Sequence, residues 1–176
     1  NYRELRDKLD YDFKTNSDTE VLLAAYVKWG QACCSELNGM FAFAVWDNLE
    51  KTLFLSRDRL GIKPLYFYNT SKQFVFSSEL RSLLASGLVP RKMKADGLVD
   101  YLRYQTVHCP QTIIDGVEML PPGHYILISR EELISERYWD LTKDHSKESF
   151  GQSPEEVKDQ IRKKLEGAVK RRMIAD

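Results

Sequence analysis

An α+β fold is what three features of the sequence predict. Apolar residues keep helical spacing through the first thirty positions, then give way to short aromatic and β-branched runs. Gly and Pro punctuate those runs where the chain must turn. The chain has 176 residues, 43% of them hydrophobic, enough for one good core, or one core plus the beginning of a second domain.

Residues 2–9 read as a short helix, with Leu5 and Leu9 four apart. Ser17 and Glu20 stand three apart ahead of Val21, Leu22, Ala25 and Trp29. That spacing predicts a capping box opening a helix to about residue 29, with Gly30 as its stop. A second short helix is expected over 31–36. The run from Met40 to Trp46 is apolar at every position, as a strand buried between two layers would be. A polar turn at Asp47-Asn48 leads to a second strand over 51–56. Tyr66-Phe67-Tyr68 and Phe74-Val75-Phe76 read as a hairpin, with helices following at about 79–86 and 96–105. Short strands are expected near 112–120, 124–129 and 132–139.

Residues 140–152 are polar and read as a linker. Ser153, Pro154 and Glu156 then supply an N-cap, an N1 proline and an N3 glutamate. Val157, Ile161, Leu165, Val169 and Met173 make the apolar stripe of this last helix. Its basic residues, Lys163, Lys164, Lys170, Arg171 and Arg172, are balanced by Glu155, Glu156, Asp159 and Glu166, so a solvated face is expected.

Several function classes are disfavoured. Lys plus Arg total 26 and Asp plus Glu total 26, which leaves no net field to favour nucleic acid or an acidic membrane. No apolar run reaches the length of a membrane span, and the first residues lack the apolar core of a signal peptide. His108, His124 and His145 lack zinc-ligand spacing, and Cys109 is a lone neighbour of His108, so no metal site is expected. The adjacent Cys33 and Cys34 read as buried structural thiols in a reducing cytoplasm. The scattered glycines form no phosphate loop.

Arg57-Asp58-Arg59-Leu60-Gly61-Ile62-Lys63-Pro64-Leu65-Tyr66 reads by itself as a loop held by ion pairs, with Gly61 permitting the turn. Asn38-Gly39 is an ordinary turn, and Asp18 a favourable partner for a helix dipole. Taken in order with Ser17-Asp18-Thr19-Glu20, Leu37-Asn38-Gly39-Met40-Phe41-Ala42-Phe43-Ala44, Ser77-Ser78-Glu79-Leu80, Leu120-Pro121-Pro122-Gly123-His124 and Tyr138-Trp139, that string resembles the glutamine-hydrolysing asparagine synthetases of bacterial type.

The resemblance implies an incomplete N-terminal-nucleophile hydrolase fold: two layered, mainly antiparallel sheets flanked by helices. It assigns residues 1–139 to the back part of a glutaminase domain, 140–152 to a linker, and 153–176 to the first helix of a synthetase domain. In the family, glutamine is hydrolysed by an N-terminal Cys, and ammonia travels to an aspartyl-adenylate made with ATP and Mg²⁺. ATP and Mg²⁺ are thus expected in the parent's synthetase domain and no cofactor in this segment. The nucleophilic Cys is expected ahead of Asn1, so these residues alone are expected to be inactive. Asp18 matches the family's contact to the glutamine α-ammonium. Met40 and Ile62 match positions near the ammonia tunnel, where an apolar wall disfavours ammonium. The implied partners are glutamine and the synthetase domain of the same chain, with a homodimer left open. Two alternatives stand beside this one: an amidotransferase with another acceptor, and a non-catalytic glutaminase-like interaction domain.

Overall fold

Phe54 and Leu55, adjacent on one strand and almost wholly buried, point to opposite faces of a sheet as strand geometry requires. Each therefore belongs to a different core layer. The computed structural model describes residues 1–143 and 153–173. These fall into two units, Tyr2–Trp139 and a second made of Asn1 with the residues from Asp140 onward.

The larger unit begins with α1 (Tyr2–Lys8), α2 (Asp18–Trp29) and the single-turn α3 (Cys33–Glu36). Strands β1 (Ala42–Asp47) and β2 (Thr52–Arg57) follow, then the hairpin β3 (Tyr66–Asn69) and β4 (Phe74–Ser77). Next come α4 (Leu80–Ala85), α5 (Ala95–Tyr104), β5 (Val117–Met119), β6 (His124–Ile128) and β7 (Leu133–Arg137). Two antiparallel sheets result, one in the order β1-β2-β6-β7 and the other β4-β3-β5.

The alternation along β2 and β6 separates the layers. Phe54 and Tyr125 face α1–α3 and pack with Leu5, Val21, Ala25, Cys33 and Cys34. Leu55 and Ile126 face the second sheet and pack with Leu65, Leu120, Phe67 and Phe74. A third cluster of Leu83, Val89 and Val117, with Tyr66, Tyr68 and Val75 against it, seats α4 on the outer face of the second sheet. The order is helices, sheet, sheet, helix. Each fully buried Leu or Phe contributes about 1.5–3 kcal/mol by leaving water, so the two β2 residues anchor both layers.

Two local expectations are corrected. The run from Met40 to Trp46 is not a strand buried between layers. Among the described residues β1 is an edge strand, Ala44 is exposed, and Trp46 is 57% exposed. The second sheet has three strands and its cluster stops at Ala42, so the far end of β1 lies uncovered. The buried strand is β2. At α2, Ser17 is the N-cap, accepting from Thr19 N at 3.1 Å, but Glu20 does not reach back to Ser17 N. It accepts instead from the amides of Lys14 and Thr15 at 2.9 and 2.7 Å. Thr15 Oγ1 lies in the place that a capping-box glutamate would take, accepting from Ser17 N at 3.2 Å.

Gly97 in α5 has a steric reason to be glycine. A Cβ there would lie 2.5 Å from the Thr112 carbonyl oxygen and 3.0 Å from Ile113 Cα, so the helix backbone rides directly on the segment before β5. Cys33 and Cys34 are fully buried, as their position ahead of an apolar strand suggested.

In the second unit, α6 (Pro154–Arg172) carries the full capping box: Ser153 Oγ accepts from Glu156 N, and Glu156 Oε2 accepts from Ser153 N at 2.8 Å. Its stripe residues Ile161, Leu165, Val169 and Met173 are exposed. His145 and most of the polar stretch 140–152 lie outside the described residues.

Candidate functional site

Asp58 organises the loop that the sequence marked out. The residue is 1% exposed, and its carboxylate accepts four backbone N–H bonds: Leu60 and Ile62 on Oδ1 at 3.1 and 3.0 Å, and Lys63 and Phe41 on Oδ2 at 2.9 and 3.3 Å. Its own amide donates to Phe41 O at 2.9 Å, and its carbonyl accepts from Gly61 N and Gly123 N at 3.0 and 2.9 Å. The carboxylate thus ties the chain before β1 to the loop 58–63, and the backbone carbonyl of the same residue adds the turn before β6. Carboxylate-to-amide bonds are charge-assisted and stronger than neutral ones.

Arg57 complements it. The guanidinium is turned the other way and donates to three carbonyls: Lys63 O at 2.7 Å, and Leu120 O and Gly61 O at 2.6 Å each. The loop is therefore held by charge-to-backbone bonds, correcting the expected ion pairs. Arg57 and Asp58 are neighbours on a strand end, where successive side chains diverge, so they cannot face each other. Gly61 sits at φ +64°, and a Cβ there would meet Pro122 Cγ at 2.8 Å and Arg57 Cζ at 3.0 Å. Only glycine allows the loop to close over the guanidinium. Tyr138 closes the far side, donating from its hydroxyl to Arg57 O at 2.7 Å; burial raises that phenol above its ordinary pKa.

Met40 and Ile62 are both next to this hub. Met40 precedes the Phe41 amide bound by Asp58, and the Ile62 amide is bound directly. Their side chains are 43% and 45% exposed, so neither is core. Asp18 stands elsewhere, as the first residue of α2. Its carboxylate accepts from Thr19 Oγ1 at 3.3 Å, and it makes no ion pair among the described residues. A carboxylate at a helix N-terminus is favoured by the dipole and, being exposed, can take a cationic partner.

The loop leading to Asp18 is ordered by polar contacts. Glu20 holds Lys14 and Thr15, and Thr15 Oγ1 donates to Glu20 Oε2 at 2.6 Å. Arg6 donates to Thr15 O at 2.7 Å while its guanidinium lies 4.1 Å from the Phe13 ring. The Lys14 amide first, then the Thr15 hydroxyl, lower the Glu20 pKa. For a carboxylate lowered by folding, the stabilisation is present above the ordinary glutamate range and is lost as pH falls through the lowered value.

The sequence reading missed the roles of Asp58, Arg57 and Thr15. Adjacent opposite charges suggested pairing, and only the tight Gly61 turn beside an acid hinted at an amide-binding carboxylate. Among the described residues no group of three His, Cys, Asp or Glu is placed to hold a metal, and no helix is long and apolar enough to cross a membrane. Cys33, Cys34 and Cys109 are free thiols.

Residues 1–139 match the glutamine amidotransferase domain family. Asparagine synthetase [glutamine-hydrolyzing] 3 of Bacillus subtilis is 34% identical over 175 residues, covering 99% of this chain and 28% of the relative. Asparagine synthetase [glutamine-hydrolyzing] 1 of the same organism is 39% identical over 131 residues, 73% of this chain and 21% of the relative. Amidase chyE of Penicillium rubens is 35% identical over 175 residues, 97% of this chain and 25% of the relative. The chain thus spans between a fifth and a third of these relatives' length. Among solved structures, the glutamine phosphoribosylpyrophosphate amidotransferase of B. subtilis superposes with a TM-score of 0.53 at 22% identity, covering 78% of this chain and 26% of that one. That likeness is one of fold: antiparallel sheets layered between helices. With the family pattern spanning the whole of the larger unit, the chain belongs to the glutamine amidotransferase domain family.

Proposed function

We propose that this segment works within a full-length glutamine-dependent asparagine synthetase, releasing ammonia from glutamine for ATP-dependent amidation of aspartate. The observation that carries the reading is the exposed Asp18 carboxylate at the start of α2, without an ion-pair partner among the described residues. The asparagine synthetases among the relatives supply the reaction class. Asp18 would receive the α-ammonium of glutamine, a charge-assisted contact. Residues 140–152 would act as a linker and α6 as the first helix of the synthetase domain. The full-length protein is expected in the cytoplasm, where free thiols persist.

ATP and Mg²⁺ would be held outside this segment, whose scattered glycines and described acidic residues do not fit them. The direct test is to supply the full-length protein with aspartate, ATP and Mg²⁺, and either glutamine or ammonia. Asparagine formed from both nitrogen sources is the expected result. A specific observation favours one competitor: a protein named as an amidase is 35% identical over 175 residues, beside 34% over 175 residues for asparagine synthetase 3 of Bacillus subtilis. Glutamine hydrolysis without amidation of aspartate would shift the assignment to another acceptor.

Met40 and Ile62 would line a dry passage for ammonia. What supports this is that both are apolar, half exposed, and presented by backbone fixed to one carboxylate. Met40→Asp is expected to leave glutaminase turnover and ammonia-dependent synthesis nearly intact while glutamine-dependent asparagine formation falls about tenfold or more. The rationale is that a carboxylate in an apolar passage admits water, from which ammonia takes a proton, and favours the ammonium that forms. A parallel fall in glutaminase activity and melting temperature would make Met40 structural instead.

A further inference from the structure

The bonding of Glu20 differs from what its place in the helix calls for. At N3 of a Ser-capped helix, a glutamate ordinarily turns back to the N-cap amide. Here Ser17 N is served by Thr15 Oγ1 at 3.2 Å, leaving both Glu20 oxygens to bind the preceding loop. The Thr15 hydroxyl is the middle of a relay: it donates to Glu20 Oε2 at 2.6 Å and accepts from the residue just before Asp18. From the other side, Arg6 Nη1 fixes Thr15 O at 2.7 Å. Tyr11 and Phe13 meet edge to face at 4.9 Å, and the Arg6 guanidinium lies on the Phe13 ring.

The hydrogen bonds converge on residues 14–17, although that segment is exposed. A loop so placed is ordinarily mobile, since exposed backbone with few apolar contacts gains little from being fixed. Among the described residues, the side-chain contact of the Asp18 carboxylate is the long bond it accepts from Thr19 Oγ1 at 3.3 Å. Where that carboxylate points is therefore decided by the backbone entering α2.

We propose that Glu20 and Thr15 are positioning residues for glutamine binding, holding the strap 14–17 so that Asp18 presents its carboxylate to the substrate ammonium. The proposal rests on the reading that Asp18 receives that ammonium. Neither residue touches substrate; they set the entry geometry of the helix that carries the contact. A ligand group displaced by about 1 Å loses much of its contribution to binding. The effect therefore belongs to glutamine KM and not to the chemical step.

The test compares Glu20→Gln, Thr15→Val, Thr15→Ser and Asp18→Asn in the full-length protein. KM for glutamine, kcat with glutamine, ammonia-dependent turnover and melting temperature are measured for each. Glu20→Gln and Thr15→Val are expected to raise KM for glutamine about tenfold, with kcat and ammonia-dependent turnover within about twofold of the parent. Thr15→Ser keeps the hydroxyl and should restore a near-parent KM. Adding Glu20→Gln to Asp18→Asn should raise KM little beyond Asp18→Asn alone, because the two act through one contact. If Asp18→Asn raises KM while Glu20→Gln and Thr15→Val do not, the positioning role is wrong and the Asp18 reading stands. If Asp18→Asn leaves KM unchanged, both fail. A loss of ammonia-dependent turnover and melting temperature in Glu20→Gln and Thr15→Val alike would mark the strap as scaffold and also overturn the proposal.

Discussion

Replacing Asp58 with alanine should cost about 3–5 kcal/mol of stability, because four part-buried backbone amides lose at once an acceptor that is itself almost completely buried. A stranded buried donor costs about 1–3 kcal/mol, and water entering the emptied space would recover part of the sum. Asp58→Asn should cost less, since one oxygen still accepts while the new NH₂ faces donors. Hydrogen exchange in the full-length protein is the sharp readout. The amides of Phe41, Leu60, Ile62 and Lys63 should lose protection together, ahead of those in β2 and β6. Alanine at position 58 with all four amides still protected, and stability within about 1 kcal/mol of the parent, would mean that the loop is held by Arg57, Tyr138 and the backbone bonds of residue 58 without the carboxylate.

The second large effect concerns substrate. Asp18→Asn removes charge with little change of shape, and should weaken glutamine binding in the full-length protein by about 1.5–3 kcal/mol, or ten- to hundredfold in KM. Ammonia-dependent synthesis should be spared, because ammonia bypasses the glutamine site. Position explains why the loss should be selective: Asp18 is exposed, outside the core clusters, and the Ser17 cap remains to start α2. Equal loss with glutamine and ammonia would reduce Asp18 to a helix-start residue.

Much of the fold was legible because its signals are local. The three long helices and the strand pairs β1–β2 and β3–β4 all carry their own periodicity and turn residues, and they occur where those signals place them. What was misread depended on neighbours distant in sequence. Whether the apolar run of β1 is central or peripheral is decided by how far the other sheet extends beneath it. Whether Arg57 pairs with Asp58 is decided in part by Leu120 O and Phe41 N, neither of which its own segment reveals. The Ser17–Glu20 box fails for a nearer reason: a threonine two residues before the cap competes successfully for Ser17 N. In the candidate site, Asp18, Met40 and Ile62 came from family resemblance, whereas the residues that fix their surroundings became visible only as hydrogen bonds.

The pairing of β2 with β6, Leu53 opposite Ile128 and Ser56 opposite Tyr125, bears on how the molecule comes to fold. Everything from the Asp58 loop through β5, including the whole second sheet, lies between those two strands in the chain. One edge of β2, with Phe54 and Leu55 on it, must therefore wait unpaired until β6 has been synthesised. Loop-closure entropy rises only slowly with length, but contacts so distant in sequence slow the search for the native topology. During translation, α1–α3 can cover Phe54 early, since they precede it. Leu55, on the other face, has no such shelter until the second sheet forms. The waiting strand is thus exposed on one side to pairing with other nascent chains, which is the period when a chaperone would matter most.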